Sequence, residues 1–217
     1  MEGKKYQIKK IITIIIYVYY IAGILWHLLP ATRSIVIDIT PYGLLFFPVL
    51  ILYFGRDSID SATFIWLFLI LVLTLLLEVI GVKTGIIFGN YFYKNLLGIK
   101  IFGVPLIIGI NWMMVVYGLF SFTQSFFKVN KIAQSLVVGF FAVLFDFALE
   151  PVAVELNYWE WNSASVPLSN YISWFTISFF FAIAGFTLKA MKGSTLVIHY
   201  FFAQFLFFAI LNFLMSS

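Results

Sequence analysis

The sequence predicts an all-α fold: a polytopic membrane helix bundle of about seven transmembrane helices, with two longer functional loops on its non-cytoplasmic side. Three observations carry this. Of the 217 residues, 63% are hydrophobic and 10% are charged, whereas a soluble domain is nearer ~45–50% apolar and ~25% charged. The apolar residues gather into seven runs of the length that crosses a hydrocarbon core, ~20 residues. The basic residues fall unequally between the two sets of connecting loops, as they do when one set stays in the cytoplasm.

The seven runs lie at about 11–29, 36–54, 62–80, 104–122, 132–149, 172–190 and 195–215. The first ends His27-Leu-Leu-Pro30 with no small-residue cleavage site behind it, so it reads as a retained span and not as a signal peptide. The second is the weakest, because Asp38, Pro41 and Pro48 interrupt it. No soluble domain fits between the spans, so residues 1–217 are expected to form a single integral membrane domain.

Nine Lys and Arg residues lie on the N-terminal side of this arrangement: Lys4, Lys5, Lys9, Lys10, Arg56, Lys128, Lys131, Lys189 and Lys192. Four lie on the other: Arg33, Lys83, Lys94 and Lys100. The N-terminus is therefore expected in the cytoplasm and the C-terminus outside, in the inner or plasma membrane. The net charge of +4 comes from few and scattered bases, which is not the footprint of a nucleic-acid binder.

Two connections are long, 81–103 and 150–171, and both fall on the outer side. Long ordered loops usually carry function. They also echo each other: Val104-Pro105-Leu106 precedes Trp112 as Val166-Pro167-Leu168 precedes Trp174, at the same spacing. The plainer reading of each copy is a proline opening a helix and a tryptophan at the interface. Gly81, Gly85 and Gly89 recur every four residues, which is a close-packing stripe if the third span continues or a set of turn glycines if the chain re-enters the bundle.

Carboxylates inside a membrane helix cost ~2.5–3.5 kcal/mol each on insertion scales and are functional by default. Glu78 lies near the end of the third span, and Asp146 and Glu150 lie at the end of the fifth. The spacing of four places the latter two on one helix face. All three approach the outer interface, where such groups can share protons; the plainer reading is three helix-end residues reaching for water. Glu155 and Glu160 are expected to be wetter, and His199 to lie on the cytoplasmic side, away from the others. His27, Asn111 and Asn170 end or open spans on the outer side, where they either hold neighbouring helices together or contact a ligand.

There are no cysteines and only two histidines. Thiol nucleophiles, iron–sulfur clusters, zinc-thiolate sites and the His-box di-iron sites of membrane oxygenases are therefore excluded. Chemistry falls to Asp, Glu, Tyr, Trp, Asn and water, and no metal or other cofactor is expected.

The stretch Glu78-Val-Ile-Gly-Val-Lys-Thr-Gly85-Ile-Ile-Phe-Gly89-Asn-Tyr91-Phe-Tyr93, with Leu97-Gly98, Gly103-Val-Pro105-Leu106 and Asn111-Trp112, resembles the signature of the membrane carotenoid-biosynthesis family, which includes carotenoid 1,2-hydratases of the bisanhydrobacterioruberin hydratase type. Asp146, Glu150-Pro151-Val-Ala153, Trp159-Glu-Trp161 and Val166-Pro167-Leu168-Ser-Asn170 followed by Trp174 agree with it, while Ser163-Ala-Ser165 stands where a glycine and an aromatic usually precede Val-Pro. The resemblance covers about residues 70–175. It implies addition of water to the terminal C1–C2 double bond of an acyclic carotenoid, through a tertiary carbocation, with a carotenoid or other polyisoprenoid as substrate in the bilayer and water as co-substrate. The residues agree in kind. Hydration is redox-neutral and needs a proton donor, for which Glu78, Asp146 and Glu150 are the candidates, with Asp146 or Glu78 as acid and Glu150 as partner. Tyr91, Tyr93, Trp112, Trp159, Trp161 and Trp174 are available to stabilise a cation; Asn111, Asn170 and His27 complete the expected substrate-binding set.

Two other classes fit the same composition. An end-group cyclase would share the protonation and quench the cation by ring closure; a dry pocket would favour it, a polar one hydration. A transporter or a lipid- or pigment-binding protein would spread its carboxyls along the depth of the bundle, whereas here they cluster at one end.

Overall fold

The computed structural model describes residues 2–215. Among the described residues seven helices are long and apolar enough to cross a membrane, and the chain is an all-α integral membrane bundle with a small amount of strand. The helices are α1 (Glu2–Leu28), α2 (Pro30–Gly55), α3 (Ser61–Thr84), α4 (Leu106–Phe126), α5 (Lys131–Glu155), α6 (Leu168–Thr187) and α7 (Thr195–Met215). Between α3 and α4 lie β1 (Tyr91–Tyr93), β2 (Lys100–Ile101) and β3 (Val104–Pro105); β4 (Trp159–Trp161) lies between α5 and α6.

The helix ends follow local chemistry. Asp60 and Asn130 cap α3 and α5, each side chain accepting the backbone N–H three residues on, at 2.8 Å. Hydrogen bonding from Thr63 holds the Asp60 carboxyl below the usual carboxylate range. Pro30 opens α2 at a position whose N–H is unbonded in any helix. Pro41 and Pro48 do not break α2, nor does Pro151 end α5. In the absence of competing water the flanking backbone bonds persist and the helix runs through. The fifth helix is thereby longer than its apolar run, which stops at 149.

The three spaced glycines divide their roles. Gly81 is helical and packs against Phe88, whose ring a β-carbon would meet at 2.6 Å. Gly85 ends α3 in the left-handed conformation, φ +68°, with its N–H bonded to the Gly81 carbonyl at 2.8 Å. Gly89, at φ +112°, passes so close to Pro167 that a β-carbon would lie 2.7 Å from its ring. The chain thus leaves the helix and folds back over its end.

Helix α4 is the most enclosed. It touches α2, α3, α5, α6 and α7, and its Trp112, Met114, Val116 and Phe120 are at most 1% exposed. Helices α5 and α6 pack along one another, with Gly139 bringing the backbones together at Phe175. Helices α1 and α2 form one side, α1 resting on α7.

The echo between the two long loops has a structural counterpart. In each, a Glu-bearing helix (α3, α5) leads to a three-residue aromatic strand (β1, β4), then to Val-Pro-Leu and a helix with Trp in its second turn (α4, α6). The two strands pair antiparallel, Tyr91 opposite Trp161, Phe92 opposite Glu160 and Tyr93 opposite Trp159. The pairing is symmetric about its centre. Beneath it the two equivalent tryptophans, Trp112 and Trp174, stack at 3.7 Å with 18° between their planes.

Candidate functional site

Under the β1–β4 pair lies a cavity into which α3, α4, α5, α6, α7 and the adjoining ends of α1 and α2 all contribute side chains. The strands position the first group. Alternate residues of a strand share a face, so Tyr91 and Tyr93 point inward together, while Phe92 is exposed. Both phenols donate to Glu78 Oε2 of α3, Tyr93 at 2.8 Å. Trp112 Nε1 donates to Glu78 Oε1 at 2.9 Å. Burial, and then the Glu78 charge, push both phenols well above their ordinary pKa, so they remain donors.

Strand β4 repeats the device. Trp159 and Trp161 share its inner face, and their Nε1 atoms donate to Glu150 Oε2 at 2.9 and 2.8 Å. Glu160 faces outward and pairs with Lys94. Each buried glutamate is therefore held by the strand that follows its own helix, and the pairing of the strands ties the two glutamates into one structure. Asp146 sits one turn before Glu150. Asn170, in the first turn of α6, bridges them: its Nδ2 donates to Asp146 Oδ2 at 2.5 Å and lies 3.5 Å from Glu150 Oε1.

The three carboxyls are almost wholly enclosed, Glu78 at 4%, Asp146 at 0% and Glu150 at 3% exposure. Asp146 Oδ1 alone among their six oxygens has no hydrogen-bond partner. The cavity has about 90 Å³ open to water-sized groups, several times the ~10–15 Å³ that one water needs.

All twelve residues singled out in the sequence lie on this cavity: Glu78, Asp146, Glu150, Tyr91, Tyr93, Asn111, Trp112, Trp159, Trp161, Asn170, Trp174 and His27. Asn111 enters through Gln204 of α7, whose Nε2 donates to its Oδ1 at 2.7 Å. His27 enters from the end of α1, stacked edge-on against Phe207. His199 does not line the cavity and bonds Tyr17 instead. Glu155 pairs with Arg33 at 2.8 Å on the exposed surface.

Sequence reasoning missed Gln204 and Tyr158, both on the cavity wall. Burial pushes the Tyr158 phenol up to about 12. Gln204 had a signal: it is an amide in an otherwise apolar stretch of α7, 1% exposed. Among the described residues no three His, Asp or Glu side chains are grouped so as to hold a metal ion; five of the six carboxyl oxygens face indole, phenol or amide donors.

No curated protein and no solved structure matches the chain. The family of carotenoid biosynthesis proteins matches residues 38–217, a region that contains eleven of the twelve residues named above, all but His27. The chain belongs to the carotenoid biosynthesis protein family.

Proposed function

We propose that the protein is a carotenoid 1,2-hydratase, adding water to the terminal C1–C2 double bond of an acyclic carotenoid. The observation that carries this reading is the unequal occupancy of the three buried carboxyls. Glu78 accepts three donors over its two oxygens, and Glu150 accepts two indoles at Oε2 with the Asn170 amide 3.5 Å from Oε1, while Asp146 Oδ1 has no partner. Asp146 is thus the carboxyl able to carry and deliver a proton.

Asp146 protonates C2 and the positive charge develops at C1. Glu78 and Glu150, fixed by hydrogen bonds before the substrate arrives, present negative charge to that cation, which is the preorganised electrostatic arrangement that lowers such barriers. The indole and phenol faces add ~0.5–2 kcal/mol each where a ring is in range. Water then adds at C1. No electron changes hands, so neither metal nor nucleotide nor oxygen is required. A C40 polyene is about as long as the hydrocarbon core is thick, ~30 Å, so a substrate spanning the bilayer brings its end group to the outer end of the bundle, where the site lies if the N-terminus is cytoplasmic.

Cyclisation would begin with the same protonation. The polar atoms on the wall, Asn111, Asn170, Gln204 and His27, favour capture by water over a dry ring closure. Expression in a lycopene-producing bacterial host separates the outcomes. Pigments heavier by one or two waters support hydration. A product of unchanged mass and altered absorbance indicates cyclisation, and unaltered pigment counts against both.

A further inference from the structure

We infer that His27 is the base that takes the proton from the attacking water, with the Gln204 amide oxygen accepting the water's other hydrogen. This rests on the hydratase reading above. His27 Nδ1 lies 2.7 Å from the Gly23 carbonyl. A carbonyl only accepts, so Nδ1 carries the hydrogen, and in the neutral ring Nε2 is left with a lone pair. Nε2 is buried and has no partner in the protein. Gln204 Oε1 is in the same condition, buried and unpartnered, because the amide is fixed by its other end: Nε2 donates to Asn111. Both residues line the cavity that holds Asp146, and they are 3% and 1% exposed.

Buried polar atoms are almost always hydrogen-bonded. Two acceptors on the wall of a cavity large enough for water, with no donor of the protein serving either, match the two hydrogens of one water molecule. Such a water has its oxygen lone pairs free for C1. The carboxylates Glu78 and Glu150 are poorer candidates for the base, since both oxygens of Glu78 and Oε2 of Glu150 already accept from phenol and indole donors and Glu150 Oε1 lies 3.5 Å from the Asn170 amide.

The step balances. The proton on Asp146 forms the C2–H bond. The water oxygen forms the C–O bond at C1, and one water O–H breaks to His27 Nε2. The product is the neutral tertiary alcohol, with Asp146 as carboxylate and His27 as imidazolium. Return of the proton from His27 to Asp146 through cavity water resets both.

The test separates protonation from capture. Full-length protein in lipid vesicles containing lycopene is incubated in D₂O, and both product and recovered substrate are analysed for mass and deuterium position. In the native protein deuterium enters C2 of the hydrated product. In His27→Phe the cation still forms and, uncaptured, turns about its C2–C3 bond and reverts by losing the original C2 hydrogen to Asp146, so that the delivered deuterium stays at C2. Hydration should fall ~100-fold or more, the usual scale of base removal, while deuterium continues to enter C2 of recovered lycopene. Retained exchange also shows that the variant is folded. His27→Gln keeps a hydrogen-bonding side chain without a comparable base and should show the same division. Native-level hydration in either variant overturns the assignment, as does loss of exchange together with hydration. If the native protein neither hydrates nor exchanges, the hydratase reading itself fails, and this inference with it.

Discussion

Asp146 and Glu78 are both buried carboxyls, yet replacing each by its amide should do different things. Asn at 146 keeps the size of the side chain and an oxygen for the Asn170 amide, which now donates at 2.5 Å. It cannot deliver a proton. Asp146→Asn should therefore leave the fold intact and lower turnover ~100-fold or more, measured as hydrated pigment against protein content in isolated membranes. Gln at 78 places an NH₂ where either the two phenols or the Trp112 indole now donate. An indole N–H cannot turn into an acceptor, and phenols that turn to accept from the amide lose the acceptor of their own O–H groups, so in either orientation a buried donor is left unpaired at a cost of ~1–3 kcal/mol. Glu78→Gln should show as reduced thermal stability in detergent before it shows as chemistry. Native activity in Asp146→Asn would remove it as the acid. The sequence identified these carboxyls because charge in lipid is expensive, but it left their order open. What orders them is the supply of donors, and those come from Tyr91, Tyr93 and Trp112, up to 34 residues from Glu78 along the chain. Gln204 escaped for a related reason: an amide in a membrane helix reads as a bond between helices, and one end of it is that.

At the scale of elements, the helices were legible and the strands were not. A span announces itself by ~20 apolar residues, and the seventh span, 195–215, coincides with α7. Three-residue strands have no such signature; Tyr-Phe-Tyr and Trp-Glu-Trp alternate with period two, but their pairing joins segments 68 residues apart at its centre, Phe92 with Glu160. Pro41 and Pro48 weakened the second span without removing it, and it is a helix; the fifth run, ended at 149 ahead of Pro151, fell short of α5, which continues to Glu155. The turn at Gly85 is what delivers β1 to Glu78. Its left-handed backbone costs any other residue ~1–2 kcal/mol, and a β-carbon there would lie 2.1 Å from Asn90 Oδ1. Gly85→Ala should lower the thermal midpoint in detergent, and adding Asn90→Ala, which removes the side chain that the β-carbon would meet, should recover part of the loss. No recovery in the double variant would mean that the Asn90 contact contributes nothing.

Across the whole molecule the charged and polar machinery divides by depth. The two long loops are joined to each other, through β1 and β4 and through the Asn162 N–H bonded to the Asn90 carbonyl at 2.9 Å. They must therefore lie on the same side of the membrane, whichever side that is. The opposite end is tied together as well: Lys5 pairs with Asp57 at 3.0 Å, although an exposed pair of this kind contributes little to stability. Which end faces the cytoplasm is a separate matter, fixed at insertion by the nine basic residues on one side against four on the other. Because the chain has no cysteine, single cysteines can be read without background. Asn90→Cys and Ser163→Cys, both at exposed positions, should be labelled by a membrane-impermeant maleimide added outside intact cells. Lys4→Cys should be labelled only after the cells are opened. The inverse pattern would keep the bundle and reverse its orientation, placing the carboxyl cavity at the cytoplasmic surface. Labelling of 90 and 163 from opposite sides would contradict the strand pairing itself, and with it the joint anchoring of Glu78 and Glu150 on which the site depends.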